Sequence, residues 1–196
     1  MKLRYTIRMT MLVTLIASIG FGFYVYQDHI HQRRLHAMMQ IERDAGFVTF
    51  RNRFSGIPIE VTDDVRRNDR LDAIYLAGSN LEQKTLDLLP SLNEARFISF
   101  NGSAFADHHV GSLDQLTNLR ELQLNGTLIT EVGLAHLSRE HRLTLLTLND
   151  TSVDDLAIKA LAAMTSLQRL YLHNTHFSDE GLIRLQSDLP GCSIVR

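Results

Sequence analysis

Residues 119–133 read LRELQLNGTLITEVG, and their side chains follow the spacing L-x-x-L-x-L-x-x-T-x-I. The same spacing recurs every 24 residues on either side of this stretch, with no insertion. The aligned sets are Leu71, Ile74, Leu76, Ser79 and Leu81; Ala95, Ile98, Phe100, Ser103 and Phe105; Leu119, Leu122, Leu124, Thr127 and Ile129; Leu143, Leu146, Leu148, Thr151 and Val153; and Leu167, Leu170, Leu172, Thr175 and Phe177. A fixed period of this length predicts a solenoid, here of five repeats over residues 71–190.

Each repeat is expected to begin with a short strand and a tight turn. Alternation along the strand puts Leu122 and Leu124, and their equivalents, on the core side. The turn column holds only residue types that tolerate a left-handed backbone, namely Gly78, Gly102, Gly126, Asp150 and Asn174. The next column holds only hydroxyl side chains, which are expected to satisfy backbone groups of the turn: Ser79, Ser103, Thr127, Thr151 and Thr175.

The second half of each repeat is predicted to be helical. Thr130, Asp154 and Ser178 suit the N-cap position, and acidic residues follow them in the first turn. The core-facing helical positions lie three apart, at Leu134 and Leu137, Ile158 and Leu161, and Leu182 and Leu185. The predicted fold is therefore α/β, a solenoid of 24-residue strand-turn-helix units with a parallel sheet on its concave face. Residues 191–196 are expected to add a closing strand.

The N-terminal segment has the composition of a membrane anchor. Residues 1–8 form a basic flank with three cationic side chains, and residues 9–27 are uncharged and read MTMLVTLIASIGFGFYVYQ. About 20 mostly apolar residues suffice for a helix to cross the hydrocarbon core, and aromatic residues favour the interface at its end. The alternatives are a cleaved signal peptide and a buried core helix. The basic flank favours a cytoplasmic N-terminus and an extracytoplasmic repeat domain.

Between this segment and the repeats, two short regions are expected. Residues 28–46 have the apolar stripe of a connecting helix that ends at Gly46, with a basic membrane-surface helix through Arg33 and Arg34 as the alternative. Residues 47–70 are predicted to form a degenerate N-terminal capping repeat, because Phe50 lies 24 residues before Ile74, in the repeat's own register.

The repeat domain resembles a known family. The phrases LNGT at 124–127, ITEVGL at 129–134, FSDEGL at 177–182 and LPGCSI at 189–194 resemble leucine-rich repeats of the ribonuclease-inhibitor-like, cysteine-containing type. The chain is also similar to small membrane-anchored repeat proteins of planctomycete-type bacteria. This resemblance implies a protein-binding module without catalytic residues.

Strand residues that point away from the core form the candidate binding site, since rigid repeat surfaces commonly bind partners there. The predicted contacts are Tyr75, Phe97, Asn101, Gln123, Asn125, Leu145, Asn149, Arg169, Tyr171 and His173. The alternative is that these side chains only cover the sheet. Asn101, Asn125 and Asn149 are expected to form an amide ladder, although their N-G-S, N-G-T and N-D-T contexts also match a glycosylation acceptor.

Other chemistries find little support in the sequence. From residue 28 onward 17 basic residues face 22 acidic ones, so no nucleic-acid partner is expected. His108, His109, His173 and His176 lack companion ligands at metal spacing, and no cofactor or enzyme motif is present, so we expect neither a metal, a cofactor nor catalysis. The single Cys192 excludes an internal disulfide.

The sequence therefore favours a signal-anchored repeat module in the membrane that binds an unidentified protein through its concave face. A structural component of the envelope that self-associates is one alternative, and a repeat protein secreted after signal cleavage is another.

Overall fold

The computed structural model describes residues 2–44, 46–50, 71–78, 81–140 and 143–196, with the backbone alone at residues 2–17, 20, 47, 49, 50 and 140. Over these residues a single seven-stranded sheet runs in chain order from β1 to β7. The strands are β1 (Phe47–Phe50), β2 (Leu71–Tyr75), β3 (Phe97–Ser99), β4 (Glu121–Gln123), β5 (Leu145–Thr147), β6 (Arg169–Tyr171) and β7 (Ser193–Val195).

Strands β2 to β7 are parallel and hold the 24-residue register along the whole sheet. The central positions of adjacent strands pair in the series Ile74, Ile98, Leu122, Leu146, Leu170 and Ile194. All of these side chains but that of Ile194 are fully buried. The predicted parallel sheet and its closing strand are therefore confirmed.

The turn chemistry of the repeats is also as expected. The five residues of the turn column, Gly78, Gly102, Gly126, Asp150 and Asn174, have φ between 52° and 66°. In four repeats the following hydroxyl donates to the carbonyl three residues earlier, as in Thr151 Oγ1 to Leu148 O at 2.6 Å. Ser79, in the first repeat, lies outside the described residues. Each of these hydroxyls thus gives a hydrogen-bond partner to a backbone carbonyl that the turn shields from solvent.

Repeats three to five carry the predicted helices α3 (Glu131–Glu140), α4 (Ile158–Ala163) and α5 (Asp179–Asp188). Their N-caps are in place: Thr130 Oγ1 accepts from Val132 N at 3.3 Å, Asp154 Oδ1 from Leu156 N at 2.9 Å, and Ser178 Oγ from Gly181 N at 2.9 Å. A short 3-10 helix, Asp155–Ala157, leads into α4.

The first two repeats differ from the predicted pattern. The first has the four-residue helix α2 (Gln83–Leu86) and a 3-10 turn, Leu89–Leu92, whose Pro90 cannot donate to a continuous α-helix. The second has only the 3-10 helix Asp107–Leu113. Ala106 occupies its N-cap position, so no short polar side chain starts an α-helix there.

The N-terminal helix α1 spans Lys2–Arg43 without interruption. Its last three turns enter the core, because Ala37, Met38 and Ile41 are fully buried. Residues 28–43 are therefore helical as predicted, but they cover the first repeat rather than merely connect to it. Arg34 is also buried and lies 3.3 Å from Glu94 Oε2, which does not fit the alternative of a basic membrane-surface helix.

Strand β1 corrects the expectation for the start of the solenoid. It pairs with β2 in antiparallel orientation, so that Val48 lies opposite Ile74 and Phe50 opposite Leu71. The predicted register of Phe50 with Ile74 is therefore wrong. The periodicity alone could not give the strand direction, because an apolar strand of four residues fits either orientation. Residues 51–70 lie outside the described residues.

In the part of the chain that the structure describes, no helix has an apolar stretch long enough to span a membrane.

Candidate binding face

The strands arrange the predicted contact residues in three rows on one side of the sheet, which we call the open sheet face. The first row is Ala73, Phe97, Glu121, Leu145, Arg169 and Ser193, and the second is Tyr75, Ser99, Gln123, Thr147, Tyr171 and Val195. The third row follows at the strand ends and contains Ala77, Asn101, Asn125, Asn149 and His173. Core-facing residues alternate with these, so the face lies opposite the helices.

Side chains on this face differ in exposure from one strand to the next. Arg169 and His173 are exposed, whereas Glu121, Gln123 and Tyr171 are half-buried. Between them Leu145 and Thr147 are only 8% and 7% exposed. Leu145 was predicted to be a contact residue, and the structure places it in the floor of the face rather than on a ridge.

The aromatic residues divide into two groups. Tyr75 and Phe97, on adjacent strands, have ring centroids 5.1 Å apart at an angle of 43°. Tyr171 lies on β6, three strands from Phe97, which is about 14 Å at the usual strand spacing. Because this distance exceeds the length of one side chain, the two groups form separate anchor points. Only a ligand that spans several strands can contact both.

The asparagine column forms a ladder between side chain and backbone. Asn101 Oδ1 accepts from Asn125 N at 3.0 Å, and Asn125 Oδ1 from Asn149 N at 2.9 Å. Asn149 Oδ1 continues the series and accepts from His173 N at 2.8 Å. The predicted ladder thus exists, with the side chains bonded to the main chain of the next repeat. This bonding fixes the third row and reduces what its oxygens can offer a ligand.

Thr147 stands out among the polar residues of this face. Its Oγ1 is buried and, within the described residues, has no hydrogen-bond partner. Gln123 and Tyr171 flank it at the paired positions of β4 and β6. An unpaired buried hydroxyl costs about 1–3 kcal/mol, so this part of the floor is not optimised for stability.

Two titratable groups outside the predicted contacts, His109 and Cys192, have structural explanations. His109 Nδ1 accepts from Ala106 N at 3.0 Å, and burial together with the neighbouring His108 lowers the pKa of His109. Burial raises the pKa of Cys192, which keeps this thiol protonated. Among the described residues, no group of three or more His, Cys, Asp or Glu side chains is placed to hold a metal.

Sequence reasoning missed two residues of this face and one surface outside it. Ser193 and Val195 end the first and second rows and are exposed, but the sequence predicts only a closing strand there. Leu128, Val132 and Leu156 are large, apolar and exposed on the flank of the solenoid. A partial signal lies in the column of Val132 and Leu156, which holds the polar residues Lys84, His108 and Glu180 in the other repeats.

Comparison with known proteins identifies similar solved structures only. No protein-family model matches the chain, and no curated protein matches it. A leucine-rich-repeat protein of Leptospira interrogans is 21% identical with a TM-score of 0.40, over 56% of this chain and 33% of that one. Internalin C2 of Listeria monocytogenes is 24% identical with a TM-score of 0.41, over 56% and 44%. Internalin F of the same organism is 16% identical with a TM-score of 0.36, over 64% and 47%.

This chain therefore matches less than half the length of each of these structures. The fold assignment rests on the chain itself, on its 24-residue register, its left-handed turn column and its hydroxyl column. By these features the fold is a leucine-rich-repeat solenoid.

Proposed function

We propose that this chain is a membrane-anchored module that binds another protein through the open sheet face. The observation that carries the proposal is a pair of aromatic anchor points on a rigid sheet. One point is formed by Tyr75 and Phe97 together, and the other is Tyr171. Aromatic side chains on a rigid surface are the commonest energetic centres of protein interfaces. The separation of the two points favours an extended or folded protein partner over a small molecule.

The charge of the face adds to the expected specificity. In the first row Glu121 and Arg169 lie on either side of Leu145, two strands apart. A partner that places an apolar side chain over Leu145 would meet an acidic group on one side and a basic group on the other. Opposite charges arranged in this way fix the orientation of a partner more than they increase its affinity.

Alanine at Tyr75, Phe97 and Tyr171 together tests the binding proposal. A photo-crosslinking residue at Gln123, on the open sheet face, is expected to capture a partner in intact cells, and the same residue at Ser187, exposed on α5, is not. The triple alanine variant is expected to lose the Gln123 adduct and to bind the captured partner at least about thirtyfold more weakly. An adduct of equal yield in the triple variant would contradict the proposal.

The anchor is proposed from the sequence of residues 9–27, with the repeats on the extracytoplasmic side. Exposure of Phe21, Phe23 and Tyr26 on α1 supports an interfacial end to this segment. A tag after Arg196 in intact cells tests both points. Digestion of a membrane-bound tag by added protease supports the proposal, whereas a tag that is soluble, or protected until the membrane is breached, contradicts it.

Two finer assignments accompany this proposal. The repeats are of the ribonuclease-inhibitor-like type, similar to those of membrane-anchored planctomycete-type proteins. The alternatives are self-association and release after signal cleavage. Light scattering of the full-length chain distinguishes a self-associated protein from a monomer, and its intact mass distinguishes a cleaved protein from an uncleaved one.

A further inference from the structure

Three exposed apolar side chains lie on the flank of two adjacent repeats, where the chain enters the helices. Leu128 precedes α3, Val132 is in the first turn of α3, and Leu156 is in the 3-10 helix before α4. Leu128, Val132 and Leu156 are 66%, 63% and 70% exposed, and we call them the flank patch. Val132 and Leu156 are equivalent residues of the third and fourth repeats, 24 positions apart. Leu128 is four residues before Val132 and is held by its N–H bond to Phe105 O at 2.8 Å.

The fold does not require apolar residues at these positions. The column of Val132 and Leu156 holds His108 in the second repeat and Glu180 in the fifth, and both of these are exposed. The position of Leu128 is taken by the small Ala104 in the second repeat, by Ser152 in the fourth and by His176 in the fifth. In these two columns the large apolar side chains are therefore confined to the third and fourth repeats, and a group of exposed apolar residues with a polar margin is characteristic of an interaction site.

The margin of the flank patch is acidic. One position before the column, every repeat from the second to the fifth has a carboxylate: Asp107, Glu131, Asp155 and Asp179. Asp154 and Glu180 add to this charge. Arg196 pairs with Asp179 at 2.5 Å, at the far end of the column, and Lys159 is the basic residue nearest to Leu156 along the chain.

Hydrogen bonds hold two carboxylates of this acidic margin in place. Asp155 accepts from Ser178 Oγ at 2.6 Å and from Ser178 N at 3.0 Å, and these bonds lower the pKa of its carboxyl. Asp107 accepts in the same way from Thr130 Oγ1 at 2.5 Å and from Thr130 N at 2.8 Å. The charge next to the patch is thus positioned by the repeat itself.

We infer that the flank patch binds a protein segment in which apolar side chains alternate with lysine or arginine. Apolar contacts would cover Leu128, Val132 and Leu156, and the basic groups would lie over the carboxylates of the margin. A second copy of this chain fits poorly, because a two-fold contact would set the acidic column against itself. An anionic lipid surface would be repelled by the same column. The surface is separate from the open sheet face, so the inference does not depend on the proposed function.

The test variant uses residues that occupy the equivalent positions in other repeats, so it is expected to fold. Leu128→Ser, Val132→His and Leu156→Glu place at each position the residue of an equivalent position, Ser152, His108 and Glu180. Leu156→Glu adds a negative charge that offsets any positive charge on the new histidine, so a loss of binding to a basic ligand reports the lost apolar contacts. The control is Ile183→Lys, because Ile183 is 72% exposed and its equivalent is Lys159.

The probe is a fluorescent amphipathic peptide of leucine and lysine, with a leucine and glutamate peptide for comparison. We expect the full-length wild type and Ile183→Lys to bind the lysine peptide equally, and the triple variant at least about tenfold more weakly in the same detergent. Zero-length carbodiimide coupling should join peptide lysines to Glu131 and Asp155 of the wild type and not to the exposed Asp114 or Asp188. Equal affinity for the triple variant and wild type, binding of both peptides alike, or coupling spread over all four acids would overturn the inference.

Discussion

Gly133→Ala is expected to destabilise the solenoid by about 3 kcal/mol, although alanine is the better helix former by about 1 kcal/mol. Gly133 lies in the first turn of α3 and is buried. A Cβ there would overlap Ile129 Cδ1 and Asp107 Oδ1, and would lie 3.2 Å from Asp107 Cγ. Ile129 is fully buried, and Asp107 is held by its two bonds to Thr130, so neither can move without loss. Urea unfolding of the full-length chain, followed by circular dichroism, measures the effect.

The fifth repeat supplies a matched comparison. The three atoms nearest to a Cβ at Gly181 would all belong to the carboxylate of Asp155, whose Cγ would be 2.5 Å away. Gly181→Ala is therefore expected to cost less than Gly133→Ala, and Asp155→Ala should rescue it. Asp107→Ala should rescue Gly133→Ala only in part, because Ile129 remains in the way. A Gly133→Ala protein as stable as the wild type would show that both side chains move aside without cost.

The pH dependence of folding stability gives a second test of the contact between Asp155 and Gly181. The pKa of Asp155 is lowered in the folded protein by hydrogen bonds from Ser178. Its contribution to stability is therefore complete above the pKa of the unfolded carboxyl and is lost as the pH falls through the lower, folded value. Gly181→Ala displaces this carboxylate, so the variant is expected to lose less stability between neutral and acidic pH than the wild type does.

The sequence was sufficient for the strand and turn of the repeats, but not for the helices of the first two repeats. The turn column and hydroxyl column follow from local backbone chemistry, as with Asp150 at φ 59° and Thr151 bonded to Leu148. Register followed from the period, because stacking of identical units leaves one way to pair Leu122 with Leu146. The asparagine ladder was predicted as a column, but not its bonding to the backbone.

Features that join distant residues could not be predicted in this way. The pairs Asp107 with Gly133 and Asp155 with Gly181 are each 26 residues apart, and only the stacked structure shows that each carboxylate lies over the glycine. In the fourth repeat Ala157 takes the glycine position, and the preceding repeat has Glu131 rather than aspartate there. The column of Val132 and Leu156 gives only a partial signal for the flank patch, because exposure depends on which side of a stacked helix faces a neighbour.

The N-terminal cap shows the same limit at a larger scale. The sequence predicts a helix with an apolar stripe that includes Met38 and Ile41, but a narrow stripe does not reveal which surface it packs against. In the structure, hydrogen bonds as well as apolar packing hold the end of α1 in place. Thr85, buried in α2, donates to Asp44, and this bond holds the pKa of Asp44 below its usual value. Gln40 Nε2 bonds the same carboxylate at 3.0 Å.

Met38→Ala combined with Ile41→Ala is expected to destabilise the full-length chain by about 5 kcal/mol, because each substitution removes a fully buried side chain. Arg33→Ala with His36→Ala has the same spacing on the exposed side of α1 and should be close to neutral.

Hydrogen exchange then shows where the loss occurs. A solenoid unfolds as a row of units that contact only their neighbours, so protection should fall first at Ile74 in β2 and last at Leu170 in β6. Equal protection at Ile74 in the variant and the wild type would mean that α1 contributes nothing to the first repeat. The expected gradient would instead establish that the helix proposed as the anchor also ends the core, so that movement of the anchor and order of the first repeat are physically coupled.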